Sequence, residues 1–71
     1  MFSWQDLPGA AYSEHSHNHD EVIVVQSGAI KFTIAGEDYL LEAGDELILP
    51  AGTLHSAINP GDKTVSYLIC S

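Results

Sequence analysis

His15-Ser16-His17-Asn18-His19-Asp20-Glu21-Val22-Ile23-Val24-Val25 holds three of the chain's four histidines, two carboxylates and its longest bounded apolar run. His15 and His17 lie two apart, so on a strand both imidazoles point to one face. Glu21 shares their parity, but a straight strand from His15 to Glu21 would span about 20 Å. Ligands of one ion sit about 2 Å from it. A site that joins Glu21 to the histidines therefore needs the chain to reverse between them. Asn18-His19-Asp20 has the composition of such a turn. That places His19 at the turn tip, on the surface and outside the ligand set. Val22 to Val25 then reads as a strand buried on both faces.

The same texture continues on either side. In Ile30-Lys31-Phe32-Thr33-Ile34 the apolar residues alternate cleanly. Leu47-Ile48-Leu49 and Val65 to Ile69 read as further buried strands. Turn residues punctuate the runs at Ser27-Gly28, Ala35-Gly36-Glu37-Asp38, Ala43-Gly44-Asp45, Pro50-Ala51-Gly52 and Asn59-Pro60-Gly61-Asp62. The pattern predicts strands at 2–6, 10–17, 21–27, 29–35, 38–42, 45–49, 53–58 and 64–70. No long stretch keeps a helical period. Short strands at this spacing predict an all-β sandwich or small barrel, in one domain over 1–71.

Size and charge restrict what such a domain does. In 71 residues a chain buries only about 60% of its unfolded surface, and a staple is usually required. Cys70 is the only cysteine, so an intrachain disulfide is excluded and a buried, inert thiol in a reducing cytoplasm is expected. A metal, a second subunit or both remain. Residues 2–6 and 64–70 are expected at sheet edges, which favours a homodimer. Lys31 and Lys63 stand against ten Asp and Glu, giving a net charge of −8 with no arginine. Nucleic-acid binding is excluded by that balance, and an anionic membrane surface is disfavoured. No apolar run is long enough to span a bilayer, and the first residues show no secretory signal. Recognition of oxalate or sugar phosphates, which calls for cationic side chains, is disfavoured too.

The histidine candidates are accordingly His15, His17 and His55, joined by Glu21 if the chain reverses before it. His55 comes from a distant strand, just after the turn Pro50-Ala51-Gly52. Imidazole with carboxylate suits Fe, Mn, Ni, Cu or Zn. Beyond Glu21 and the histidines no general acid or base stands out. Trp4, Tyr12, Phe32, Tyr39 and Tyr67 read as core or interface residues.

These positions resemble the cupins. Gly9, His15, His17, Glu21 and Gly28 match the first cupin motif, G-x5-H-x-H-x3-E-x6-G. Gly44, Pro50, Gly52, His55 and Asn59 match the second, G-x5-P-x-G-x2-H-x3-N. The resemblance covers residues 9–59. It implies a double-stranded β-helix, or jelly-roll barrel, of unusually small size. It implies one divalent metal per chain, Fe or Mn favoured, on His15, His17, Glu21 and His55. Gly28, Gly44 and Gly52 are expected at turns with positive φ. Ile23, Val25 and Ala57 are expected to make the pocket apolar. Two functions follow. One is a metal-dependent enzyme of dioxygenase or lyase/decarboxylase type acting on a small organic substrate, with Glu21 its one candidate catalytic residue. The other is a non-catalytic, metal-stapled module that binds or senses a small ligand.

Overall fold

The computed structural model describes residues 1–70. The strands are β1 (Phe2–Asp6), β2 (Ala11–His15), β3 (Glu21–Ser27), β4 (Ala29–Ile34), β5 (Glu37–Glu42), β6 (Glu46–Leu49), β7 (His55–Ile58) and β8 (Val65–Cys70). They form two antiparallel four-stranded sheets, ordered β1-β8-β3-β6 and β2-β7-β4-β5. The two inner faces enclose the core, as in a jelly roll. The expected all-β jelly-roll architecture is what the chain adopts, with no helix among the described residues.

Alternation along the strands supplies the core. Ile23 and Val25, Ile30 and Phe32, Leu41, Leu49, Ala57, and Val65 and Tyr67 all turn inward. Their neighbours face out, and this corrects the expectation for the apolar runs. Val22 and Val24 are only half-buried, and Ile48 is 67% exposed. These runs cover one inner face, and their other residues form an apolar outer stripe.

Two further expectations change. Segment 64–70 is not an edge, because β8 lies between β1 and β3. The edges are β1, β6, β2 and β5. Segment 10–17 is shorter than expected, because β2 ends at His15 and His17 follows it in a loop.

The turns match their chemistry. Gly28, Gly44 and Gly52 have φ of 76°, 93° and 79°. At Gly28 space is also limiting: a Cβ would lie 2.7 Å from the Thr64 carbonyl oxygen. Only glycine lets β3 pass into β4 against that backbone. The β4–β5 hairpin closes through Ala35 and Gly36, with φ of 53° and 80°. That is a two-residue turn with both positions left-handed, and alanine pays a steric cost there.

Candidate metal centre

The inner face between the sheets carries the site. β2 and β7 pair with His15 opposite His55 and Tyr12 opposite Ala57. Three steps on β2 therefore match two on β7, which is a β-bulge. The bulge turns both Tyr12 and His15 inward despite their opposite parity.

His17 is placed by the loop rather than by strand alternation. Its carbonyl accepts the Gly52 N–H at 2.8 Å, and Asp20 Oδ1 accepts the Ala51 N–H at 2.8 Å. These two bonds fasten the histidine loop to the turn that leads into His55. Asp20 is thus a structural clamp, a role that its place beside Glu21 in sequence does not suggest.

His15, His17 and His55 converge. Each offers a ring nitrogen within 4.8 Å of those of the other two. Ring centroids lie 4.4 Å apart for His15 and His55, 5.0 Å for His15 and His17, and 5.4 Å for His17 and His55. The Nδ1 of His15 lies 2.7 Å from the Ser13 carbonyl, and that of His55 lies 3.0 Å from the Thr53 carbonyl. A carbonyl accepts only, so each Nδ1 carries the proton and each Nε2 keeps a free lone pair. This is how protein carbonyls orient metal-binding imidazoles. Glu21, at the start of β3, lies on the His17 side, with Oε1 3.4 Å from His17 Nε2. Its side chain is 13% exposed, so its position is fixed. The three histidines share one centre, while Glu21 meets them only through His17, in a second group with His19; imidazoles with a neighbouring carboxylate are a donor set that fits a divalent transition ion.

His19 is on the surface, as expected of a turn tip. It is nevertheless nearer the site than that reading implied. Its Nε2 lies 3.5 Å from Glu21 Oε2, and His17, His19 and Glu21 form a second group with donor atoms in close range.

A cavity of about 180 Å³ opens over the histidines, lined by Ile23, Phe32, Leu49 and Ala57 on its apolar walls. Ile23 and Ala57 line it as expected. Val25 is buried deeper in the core and does not reach it.

Trp4, Tyr12 and Tyr67 also line this cavity. They are not simply core or interface side chains. All three bond to Asp6, which is 6% exposed. Trp4 Nε1–H donates to Asp6 Oδ1 at 3.1 Å, and the Tyr12 hydroxyl makes a short bond to the same oxygen. The Tyr67 hydroxyl donates to Oδ2 at 2.6 Å. Burial, and next the bond to Asp6, pushes the Tyr67 phenol well above its ordinary range. The bond to Asp6 is the main cause that raises Tyr12. The sequence pattern alone marks no acid or base here. The available signal was parity: Trp4 and Asp6 share one face of β1.

The chain is similar to several known proteins. Over 62 residues the chain is 45% identical to quercetin 2,3-dioxygenase of Bacillus subtilis (strain 168), matching 83% of this chain and 18% of that protein. The chain thus spans under a fifth of that relative's length. A double-stranded β-helix protein from Klebsiella pneumoniae superposes with a TM-score of 0.83 at 29% identity, over 94% of this chain and 60% of that one. A predicted oxalate decarboxylase from Thermotoga maritima gives 0.84 at 26% identity, over 94% and 59%. A cupin-domain family model matches residues 2–70, and with both motifs lying on one jelly roll, the chain belongs to the cupin family.

Proposed function

We propose that this cupin domain, residues 1–71, is a metal-dependent enzyme of dioxygenase or lyase/decarboxylase type acting on a small organic substrate. The observation that supports this most directly is the convergence of His15, His17 and His55 beneath an apolar cavity, with Glu21 beside them. Those four residues would hold one divalent transition metal, with Fe or Mn favoured. Such an ion supplies Lewis-acid chemistry, and redox chemistry where it is Fe or Mn. The Ser13 and Thr53 carbonyls hold the imidazoles ready, so little reorganisation is needed on loading. Glu21 completes the donor set and is the residue best placed to move a proton at the ion. The apolar walls exclude water and favour an uncharged substrate body.

The partner reading is a homodimer. The outer stripe of Val22, Val24, Ile48 and Leu68 and the unpaired strand edges support it. The free thiol of Cys70 suits the cytoplasm. No helix among the described residues is long and apolar enough to cross a membrane.

Elemental analysis of freshly purified protein, with and without chelation and beside a thermal melt, tests the reading. About one equivalent of Fe or Mn per chain, removed with modest loss of stability, is expected. Stoichiometric Zn whose removal unfolds the chain would instead indicate a metal-stapled, non-catalytic module. A folded protein that takes up no metal would refute the site. A monodisperse monomer at micromolar concentration in light scattering would refute the dimer.

A further inference from the structure

The cavity has a second polar pole, opposite in character to the histidines. Asp6, Tyr12, Tyr67 and Trp4 form one connected network with a buried carboxylate at its centre. Every donor in it is already committed. The Tyr12 O–H, the Tyr67 O–H and the Trp4 N–H all point at Asp6, and Asp6 acts only as acceptor. The phenol protons are held tightly, because burial and the Asp6 bond both oppose ionisation of Tyr67. The cavity-facing oxygens therefore retain lone pairs and no protons. The Tyr67 hydroxyl accepts from no partner among the described residues. The Tyr12 hydroxyl accepts from Trp4 at 3.1 Å and also lies within hydrogen-bonding reach of the Tyr67 hydroxyl, so the free lone pairs of this pole are chiefly those of Tyr67.

We infer that this network selects the substrate: the pole at Tyr67 and Tyr12 binds a hydrogen-bond donor, an uncharged hydroxyl, at the end of the ligand away from the histidines. A ligand that presents a carboxylate, a phosphate or an ether oxygen there meets only lone pairs and is rejected. The substrate class is a small, neutral ring carrying a hydroxyl at each end, its body against Phe32, Ile23 and Leu49. This deepens the metal-site reading and rests on it for the ligand's other end. Tyr67 and Tyr12 are the contact residues. Asp6 is a positioning residue, because it acts by fixing which way the phenol protons point.

Binding to the Zn(II)-loaded protein under argon tests this without turnover, since Zn is redox-silent. Trp4 is the chain's only tryptophan and belongs to the network, so its fluorescence reports occupancy. The probes are hydroquinone, 4-methoxyphenol and 1,4-dimethoxybenzene, which carry two, one and no hydroxyls. Hydroquinone is expected to bind about 10-fold or more tighter than 4-methoxyphenol, the cost of leaving the pole unpaired. In Tyr67→Phe that preference should fall to about 2-fold or less. In Asp6→Asn the amide donates to one phenol and frees its proton toward the cavity, so the preference should shrink or reverse. Equal affinity for the first two probes, a preference unchanged in both variants, or no binding by any probe would overturn the inference. The metal-free protein separates the two readings. Loss of overall affinity with the preference kept supports both. Unchanged affinity with the preference kept refutes the metal's part and leaves the donor-reading pole standing.

Discussion

Tyr12 and His15 stand three residues apart on one strand and face the same cavity. A regular strand would send them to opposite faces. The bulge between them lets β2 bring both a phenol and an imidazole to the cavity. The geometry of that short segment leads to expectations for each pole and for the frame that carries them.

The roles of His17 and His19 separate by substitution. His17 belongs to the group that converges with His15 and His55, whereas His19 is exposed and reaches Glu21, His17 and Asn18. His17→Ala should lower metal affinity by more than about 100-fold, and His19→Ala by about 10-fold, the low end for a residue that only orients a ligand. Competition titration with a chromogenic chelator measures both. Equal losses would place His19 in the ligand set.

Asn59 ties the β1 end to the β7–β8 connection. It is 2% exposed, its Nδ2 donates to the Asp6 carbonyl at 3.1 Å and the Lys63 carbonyl at 2.8 Å, and its Oδ1 accepts the Gly61 N–H at 3.1 Å. Asn59→Ala removes three hydrogen bonds to backbone groups, one buried and two partly buried, and should cost about 2–3 kcal/mol. A chemical melt reads the loss directly. It should also weaken hydroquinone binding, since the Asp6 backbone loses an anchor.

Ala35 occupies a left-handed turn position that asparagine or glycine adopts more readily. Ala35→Asn should stabilise the fold by about 0.5–1 kcal/mol, seen as a rise of a few degrees in Tm. No change in metal content is expected, because the turn lies outside the cavity lining. A lower Tm would contradict the strain assigned to this turn.

Alkaline stability should depend on Tyr67. Its phenol is raised in the fold relative to the unfolded chain, where a phenol titrates near 10.0. The folded state therefore holds that proton more tightly. Its contribution is fully present below pH ~10 and is lost as pH rises above that value. Urea melts across the alkaline range should show a steep decline in wild type and a shallower one in Tyr67→Phe. Parallel profiles would remove Tyr67 as the cause.

Much of this was legible in the sequence because it is written locally. Turn residues mark the strands, and the spacing of His15, His17 and His55 marks the histidines that converge. Gly28 and Gly44 announce their backbone conformation by residue type alone. What was not legible depends on pairing between distant strands. The Asp6 network exists because β1 lies on β8 with Trp4 opposite Tyr67, and because a bulge brings Tyr12 inward. Neither the sheet order nor the bulge has a sequence marker here. For the same reason the sequence pattern does not show that β8 lies inside its sheet, or that the outer faces of β3 and β6 are open.

Phe2 lies opposite Ile69, and His15 opposite His55, so the ladders that close both sheets join segments from far apart in the chain. The β4–β5 hairpin is the tight local exception. Long loops must close before such contacts form, which places folding in the millisecond-to-second range rather than the microsecond one. The imidazoles of β2 and β7 meet only once that non-local pairing is in place. A metal would then arrive as a late passenger, slowing unfolding far more than it hastens folding.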